Sequence, residues 1–314
     1  MVPGLGGSAN PDDGRTPSAG AYLDHREKTM KLLRVGTAGA ERPALLDRDG
    51  VLRDLSALVP DIDGNLLSDA SALDRVRAAG GAGVLPALDP AGLRIGPPVA
   101  RIGKVVCIGL NYHDHAAEAG AATPTEPVVF LKAADTVVGP DDTVLVPRAS
   151  RKTDWEVELA VVIGRTARYV ESAEAALGHV AGYAVAHDVS EREFQIERGG
   201  TWDKGKNCET FNPLGPWLVT ADEVPDPQAL SLKLWVNGEL RQDGTTADQI
   251  FPVGEVVRYV SRFMTLYPGD VINTGTPAGV AMGRPEPKPY LRAGDVVELE
   301  IEGLGRQRQE LKDA

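Results

Sequence analysis

Alternating apolar and polar positions predict a chain built mainly of short strands. Helical patterning, with apolar residues three or four apart, is confined to Ala173–Leu177, Ser190–Glu197 and Val253–Phe263. Because the strands do not alternate regularly with long helices, the pattern predicts an α+β fold, mainly β, with a dominant mixed or antiparallel sheet. The strands expected after residue 100 are Val105–Gly109, Val128–Lys132, Glu156–Ile163, Gly182–His187, Leu232–Val236, Asp270–Thr274 and Val296–Ile301.

Smaller elements precede residue 100. Arg42–Leu46 and Val51–Leu55 flank a turn and predict a hairpin, as Asn237-Gly238 does later in the chain. A short helix is expected to end near Ala79, and prolines between residues 86 and 98 mark a linker. The sequence therefore predicts a small N-terminal α/β domain over residues 30–100 and a larger domain over 101–314. Residues 1–29, rich in Gly, Pro, Ser and Asp, are expected to be a disordered extension.

Composition excludes several classes of protein. The chain has 314 residues, of which 42% are hydrophobic, and no apolar run approaches the ~20 residues that a membrane span requires. A formal charge of −12 argues against nucleic acid or an anionic membrane as a partner. The two cysteines, Cys107 and Cys208, indicate reduced thiols and a cytoplasmic protein, and no signal peptide is visible.

Two glutamates separated by one residue, Glu156 and Glu158, give the strongest chemical signal. The wholly apolar run Ala160–Ile163 follows them, which indicates a strand buried on both faces. Buried carboxylates need a cation, and Asp188 could supply a third oxygen ligand. Three carboxylates without cysteine favour Mg²⁺ or Mn²⁺ over Zn²⁺. The alternative is that the two glutamates form the solvated face of an exposed strand. The sequence pattern indicates such a face at Val297–Glu302, which alternates to its end and is interpreted as an edge strand.

Two histidines and a glutamate follow the strand Val105–Gly109. On a helix, His115 and Glu118 share a face because they are three residues apart, whereas His113 and Glu118 do not. A carboxylate beside an imidazole orients the ring as a general base. The alternative is an exposed helix with unrelated polar residues.

Three lysines are candidates for the positive charge that an anionic ligand requires. Lys206 and Lys204 lie in a glycine-containing loop, where either could stabilise an oxyanion, although an ordinary surface loop is the alternative. Lys132 is either a cation facing a substrate or a salt-bridged strand residue. Thr276 belongs to the Gly-rich turn Thr274–Gly279, which could hold a carboxylate but lacks the ending of a nucleotide-binding phosphate loop.

Taken in order, these segments resemble the fumarylacetoacetate hydrolase family over residues 101–311. The resemblance implies a mixed β-sandwich roll with a small N-terminal α/β domain, one Mg²⁺ or Mn²⁺ ion per subunit, and a homodimer. The matching segments are Gly109–Tyr112 with Asp114-His115 and Glu118, Phe130–Lys132, Asp154–Leu159, Asp188–Arg192 with Gln195, Lys206, and Pro268–Ile272 leading to Thr274–Pro277.

The resemblance also implies a role for each matching residue. His115 and Glu118 would activate water, on a lid that orders over the substrate, and Lys206 would stabilise the oxyanion. The metal ligands would be Glu156, Glu158 and Asp188. The substrate-binding residues would be Lys132, Gln195, Arg192, Tyr112 and Thr276.

The implied reaction is hydrolysis of a carbon–carbon bond in a small anionic 2-oxo acid, namely a 2,4-diketo acid (acylpyruvate). Water activated by His115 would attack the C4 carbonyl, and cleavage between C3 and C4 would give pyruvate and a carboxylic acid. The same residues also fit decarboxylation of oxaloacetate, and isomerisation or hydration of unsaturated 2-oxo acids. A non-catalytic metal-binding dimeric scaffold is an alternative of another class.

Three further segments narrow the substrate expected from the resemblance. Arg198–Lys206, Gly215–Thr220 and Thr276–Gly283 resemble the branch of the family that hydrolyses 2,4-diketo-3-deoxy sugar acids. A polyhydroxylated tail requires hydrogen-bonding groups beyond the metal. The residues that could supply them are Tyr112, Arg192, Arg198 and Asn207.

Overall fold

The computed structural model describes residues 30–314, so the disordered extension expected over residues 1–29 lies outside the described part of the chain. Most regular structure in the described part is β. The strands are β1 Lys31–Val35, β2 Arg42–Leu46, β3 Leu52–Asp54, β4 Ile95–Gly96, β5 Val105–Gly109, β6 Val128–Lys132, β7 Val137–Val138, β8 Val144–Val146, β9 Thr153–Asp154, β10 Val157–Ile163, β11 Val180–His187, β12 Ser190–Glu191, β13 Asn212–Thr220, β14 Ser231–Val236, β15 Glu239–Thr245, β16 Val271–Asn273, β17 Val296–Ile301 and β18 Gly305–Asp313.

The helices are short, and most lie between strands. Asp69 caps the longest one, because its side chain accepts a hydrogen bond of 3.0 Å from the Ala72 N–H. The last helix buries valines three and four residues apart, as the sequence pattern predicts. The helices are α1 Gly64–Ser68, α2 Ala70–Gly81, α3 His113–Glu118, α4 Ala173–Leu177, α5 Asp203–Lys206 and α6 Val253–Val260.

One large mixed sheet organises the fold. Its strand order is β3-β2-β1-β13-β11-β10-β16-β5-β6, with β4 beside β1 and β7 beside β13. Strand β10 lies inside this sheet and is buried along its whole length. Val157, Leu159 and Val161 enter one hydrophobic core, whereas Ala160 and Val162 enter another. The sequence prediction of a strand buried on both faces is therefore confirmed.

A five-stranded sheet, ordered β15-β14-β17-β18-β8, packs on one side of β10. Leu234 of β14 and Leu299 of β17 share their core with Leu159, which makes this part of the molecule a β-sandwich. The predicted α+β, mainly β fold is confirmed. The edge position expected for Val297–Glu302 is wrong, because β17 pairs with β14 on one side and β18 on the other. Its alternating burial is as expected.

The N-terminal strands extend the main sheet. Lys31 and Leu32 of β1 pair with Val219 and Leu218 of β13. Residues before 100 also share a hydrophobic core with β10 and β11, so the two predicted domains pack on a common interior. The domain boundaries at residues 29 and 100 stay predictions.

Two local features differ from the helical pattern assigned to Ser190–Glu197. Its first two residues form β12, which pairs with β9, and Glu193–Glu197 form a π-helical turn rather than an α-helix. Such turns are rare and occur often at functional sites. Among the described residues, none of the helices has the length and apolar character that crossing a membrane would require.

Candidate active site

The predicted metal ligands meet where β10 begins and the neighbouring strand β11 ends. β10 and β11 are antiparallel, with Val157 opposite His187. One residue beyond this pair, the Asp188 N–H donates to the Glu156 carbonyl oxygen at 3.0 Å. Glu156, Glu158 and Asp188 each offer one carboxylate oxygen, and these oxygens lie within 4.8 Å of one another. All three residues are buried, so their mutual repulsion is weakly screened by water.

Two of the three carboxylates form ion pairs. Glu156 accepts hydrogen bonds from Lys206 Nζ at 2.7 Å and from Arg192 Nη2 at 2.6 Å. Asp188 accepts from Lys206 Nζ at 2.9 Å and from Lys132 Nζ. Burial opposes ionisation of Glu156, but Lys206 and Arg192 outweigh it and hold the pKa of Glu156 below its ordinary value.

Glu158 is different, because no lysine or arginine within residues 30–314 forms a salt bridge with it. Its carboxylate accepts one hydrogen bond, of 2.7 Å, from the Gly275 N–H. Burial, together with the nearby charges of Asp188 and Glu156, raises the pKa of Glu158 well above its ordinary value. A buried cluster of three oxygen donors with one uncompensated carboxylate suits a hard divalent cation. The residues present therefore fit the predicted Mg²⁺ or Mn²⁺ ion.

Lys132 does not face the cavity beside this cluster, which corrects its assignment to substrate binding. Its side chain is fully buried, and its three N–H groups donate to Asp188, to the Val189 carbonyl at 3.1 Å and to the Phe211 carbonyl at 2.7 Å. An ammonium group has three donors, so none is left for a ligand. Of the two alternatives given by the sequence, Lys132 is therefore the salt-bridged strand residue, and its ion pair orients the Asp188 carboxylate.

The structure distinguishes the two lysines of the glycine-containing loop. Lys206 is buried and lines the cavity, with its ammonium between Glu156 and Asp188. Burial disfavours its charge, but the two carboxylates prevail and raise the pKa of Lys206 above its ordinary value. Lys204 is exposed and donates to the Arg198 carbonyl oxygen instead.

Helix α3 places His115 and Glu118 on one face, as their spacing predicts. His115 Nδ1 lies 3.4 Å from Glu118 Oε2, and His115 lines the cavity while His113 is exposed. The Gly279 N–H donates to both oxygens of Glu118, at 3.0 and 3.1 Å. Burial opposes the charge of Glu118, yet His115 and Gly279 hold its pKa below the ordinary value, so it remains an anion beside the imidazole.

Arg192, Gln195 and Thr276 also line the cavity. Arg192 donates from Nη1 to Gln195 Oε1 at 3.0 Å, which orients the amide of Gln195 with its NH₂ group available as a donor. The hydroxyl of Thr276 donates to the Val157 carbonyl at 2.9 Å and accepts from Gln242 at 2.8 Å. The hydroxyl proton of Thr276 is therefore already used, so Thr276 lines the cavity without offering a free donor to a ligand.

Three residues proposed to bind a hydroxylated tail lie away from the cavity. Tyr112 is fully buried and its hydroxyl accepts from Gln249 at 3.3 Å. Asn207 bonds to backbone atoms of neighbouring segments, and exposed Arg198 pairs with Glu193 at 2.6 Å. The assignment of Tyr112 to substrate binding is therefore corrected, because its side chain is fully buried and does not line the cavity.

The cavity above the carboxylate cluster has a volume of about 180 Å³, small compared with typical drug-sized ligand sites. Its polar lining includes His115, Lys206, Arg192 and Gln195. Its apolar lining consists of Ile108, Leu110, Ala119, Ala121, Phe130, Ile196, Trp202 and Met282. Such a site accommodates a small molecule with an anionic head and an apolar tail.

The chain is similar in sequence and in structure to known proteins. The model for the fumarylacetoacetate (FAA) hydrolase C-terminal domain matches residues 104–312. The chain belongs to the fumarylacetoacetate hydrolase family. Membership confirms the resemblance found in the sequence, and the chain is an enzyme whose general class is hydrolase.

Three similar proteins illustrate the range of this family. A protein of Burkholderia lata that is named as a hydrolase is 54% identical to this chain over 292 residues. The match covers 91% of this chain and 100% of the relative. A solved structure described as a 2-hydroxyhepta-2,4-diene-1,7-dioate isomerase of Mycobacterium abscessus has a TM-score of 0.75 at 34% identity, covering 91% of this chain and 99% of that one. Maleylpyruvate hydrolase of Sphingobium sp. SYK-6, in complex with manganese(II) and pyruvate, has a TM-score of 0.74 at 30% identity, covering 91% and 100%.

Asp154 is a buried carboxylate for which the sequence pattern indicates no role. Its Oδ1 accepts from the Ala281 N–H at 2.7 Å, and its Oδ2 accepts from the Met282 N–H at 3.0 Å and from Arg192 Nε at 2.9 Å. Asp154 therefore fixes Arg192 relative to the loop that carries Gly279. It precedes the two glutamates in the chain, but only the fold shows which loop its carboxylate reaches.

The substitution Gly283→Ala tests how precisely the Glu118 carboxylate must be positioned. A Cβ atom at Gly283 would lie 2.2 Å from Glu118 Cδ, so Gly283→Ala must displace that carboxylate. We expect kcat to fall about tenfold to a hundredfold, with little change in metal affinity, because misplacing a catalytic group by about 1 Å is costly. Gly81→Ala, where a Cβ meets no atom within 4 Å, is the matched control. Equal kcat in the two variants would contradict this placement of Glu118.

Proposed function

We propose that this enzyme hydrolyses the C3–C4 bond of a 2,4-diketo acid, releasing pyruvate and a carboxylic acid, with Mg²⁺ or Mn²⁺ bound once per subunit. One observation carries the proposal. The His115–Glu118 pair opens into the same small cavity as Glu156, Glu158 and Lys206. A general base, an oxygen-ligand cluster and a cation therefore face one another across a space that fits a small anion.

The carboxylate cluster would hold the divalent ion through Glu156, Glu158 and Asp188. A bound Mg²⁺ or Mn²⁺ would supply Lewis-acid stabilisation of negative charge on a substrate with adjacent carboxylate and keto oxygens. Manganese and pyruvate together in the maleylpyruvate hydrolase structure support this assignment.

His115 is placed to remove a proton from water. Its Nδ1 faces the anionic Glu118, so the Nδ1–H tautomer is favoured and Nε2 is left to accept the proton. Glu118 then stabilises the positive imidazole that results, as a carboxylate does in other base–orienter pairs. Water held at His115 would attack the C4 carbonyl.

Lys206 is placed to stabilise the alkoxide that this attack creates. Two of its three N–H groups donate to Glu156 and Asp188, and the third remains for the developing oxyanion. Breaking the C3–C4 bond then leaves the electron pair on C3. C3 takes up the proton that His115 removed from water, which completes pyruvate and returns His115 to its neutral form.

Arg192 and Gln195 would hold the substrate carboxylate. Arg192 uses three of its five N–H groups, on Asp154, Gln195 and Glu156, which leaves two for a ligand. The substrate is then a small anionic 2-oxo acid. The two unpaired thiols, Cys107 and Cys208, support the expected cytoplasmic location, and the homodimer stays a prediction of the family resemblance.

Two other reactions remain candidates. A similar structure described as an isomerase supports isomerisation, and only the family resemblance implies decarboxylation. Isomerisation of an unsaturated 2-oxo acid and decarboxylation of oxaloacetate both use a metal and a cation but no attacking water. The oriented His115–Glu118 pair favours hydrolysis over both. A non-catalytic metal-binding scaffold would not need a buried base in the cavity.

The test is a panel assay with Mg²⁺ or Mn²⁺ that compares acetylpyruvate, oxaloacetate and an unsaturated 2-oxo acid. We expect pyruvate and acetate from acetylpyruvate at the highest kcat/KM, and loss of turnover when the metal is chelated. Oxaloacetate as the best substrate would assign the chain to the decarboxylases, and isomerisation without release of a carboxylic acid would assign it to the isomerases.

A further inference from the structure

Trp202 and Phe130 form a continuous aromatic wall that begins at Lys206. The two rings meet edge to face, with centroids 5.3 Å apart and planes at 63°. Lys206 Nζ lies 5.0 Å from the centroid of the Phe130 ring. A substituent on the carbonyl that Lys206 polarises would therefore continue along Phe130 towards Trp202.

The position of Trp202 is fixed from two directions. Trp202 immediately precedes α5, and its carbonyl accepts from the Gly205 N–H at 2.9 Å, so it shares a helical turn with Lys206. A Cβ atom at Gly205 would lie 2.3 Å from the Glu191 carbonyl, which shows how tightly this turn packs. On the other side, a Cβ at Gly109 would lie 2.3 Å from Trp202 Cζ3, so only glycine leaves room for the indole.

Among the described residues, the polar side chains that line this cavity are those of two carboxylates of the cluster, Lys206, His115, the Arg192–Gln195 pair and the already bonded Thr276. The other lining side chains, among them Leu110, Ile196 and Met282, are apolar. Asn207 is nearby in sequence, but its amide is occupied by the Leu131 and Asp203 carbonyls and by the Ala133 N–H. A hydroxyl group buried against these side chains would lose its water without gaining a partner, which costs free energy.

We propose that Trp202 is the specificity-determining residue for the acyl group, and that the site selects an apolar acyl group over a hydroxylated one. This inference rests on the proposed function, because it concerns the group attached to the C4 carbonyl. It replaces the sugar-acid substrate that the sequence segments imply, since three of the four residues expected to bind that tail lie outside the cavity, and the fourth, Arg192, is assigned to the substrate carboxylate.

The direct comparison uses two substrates that differ by one hydroxyl group, 2,4-dioxohexanoate and 5-hydroxy-2,4-dioxohexanoate. We expect kcat/KM for the apolar substrate to exceed that for the hydroxylated one by about tenfold to a hundredfold, the range that an apolar pocket achieves against an added hydroxyl. A ratio of one or below would overturn the inference. Turnover of neither substrate would overturn the proposed function and this inference with it.

Variants then assign the selectivity to Trp202. Trp202→Gln should lower the ratio at least fivefold, whereas Trp202→Phe should keep most of it. Gly109→Ala should displace the indole while leaving the Trp202 side chain chemically intact, and it should also lower the ratio. A lower ratio in both variants could then not be explained by a folding defect in Trp202→Gln alone. Trp235→Leu, on strand β14 away from the cavity, is the control and should leave the ratio unchanged.

Inhibition by oxalate separates a specific effect from general damage. Oxalate resembles only the keto-acid end of the substrate, so its inhibition constant should stay within about twofold of the parent value in Trp202→Gln and Gly109→Ala. An equal loss of activity on both substrates, with oxalate inhibition weakened in parallel, would show that Trp202 has only a structural role and would overturn the inference.

Discussion

Glu158→Gln is expected to weaken binding of Mg²⁺ and Mn²⁺ at least about a hundredfold and to reduce turnover to background. The estimate is a lower bound, because changes to residues that merely support metal ligands already cost tenfold to a hundredfold in affinity. Glu158 is the carboxylate of the cluster that has no cationic partner among the described residues, so its charge is the one a metal would neutralise. Isothermal titration with Mn²⁺ measures the affinity directly.

Glu300→Gln is the matched control, since it makes the same change in another Glu-x-Glu strand. Glu300 lies on the partly exposed face of β17, 3.7 Å from Arg306 at its closest. Exposed ion pairs of this kind contribute little, so stability, metal binding and kcat should be unchanged. Parent-like Mn²⁺ affinity in Glu158→Gln would remove the metal assignment of the cluster.

His115→Asn is expected to lower kcat about a hundredfold to ten-thousandfold, the usual contribution of a general base. The reason is geometric: His115 lines the cavity and contacts Glu118, whereas His113 is exposed at the start of the same helix. Steady-state kinetics on acetylpyruvate with saturating Mn²⁺ would measure the loss, and Mn²⁺ affinity should be close to that of the parent protein.

His113→Asn provides an internal control on the same helix. It should retain the activity of the parent, because its side chain points to solvent. Full activity in His115→Asn together with loss in His113→Asn would transfer the role of base to the other histidine. Loss in both would indicate that the helix, rather than one imidazole, carries the effect.

The sequence was sufficient to predict much of the fold and the centre of the site. Glu156 and Glu158 alternate before a wholly apolar run, and this pattern depends only on strand geometry and burial. The spacing of His115 and Glu118 depends only on the helical repeat. The fold class is confirmed, and the residues chosen for the metal cluster and the base pair meet in the structure as local patterns require.

Contacts between distant segments could not be predicted in the same way. Lys132 occupies a strand position that suits either a substrate contact or a salt bridge, and only the packing of Asp188 and Phe211 around it decides between them. Tyr112 belongs to a matching segment, yet its side chain is fully buried, and its hydroxyl accepts a hydrogen bond from Gln249, which lies far along the chain. The edge position predicted for Val297–Glu302 was wrong because strand order depends on long-range pairing.

Product stoichiometry tests the central claim most directly. The metal-stripped enzyme, the Mn²⁺-reconstituted enzyme and the reconstituted Glu158→Gln variant would each receive acetylpyruvate, with products counted by quantitative NMR. We expect one pyruvate and one acetate per substrate consumed by the reconstituted parent enzyme, and neither product from the other two samples. Consumption of substrate without acetate, or equal product formation before and after metal removal, would contradict metal-dependent hydrolysis of the carbon–carbon bond at this site.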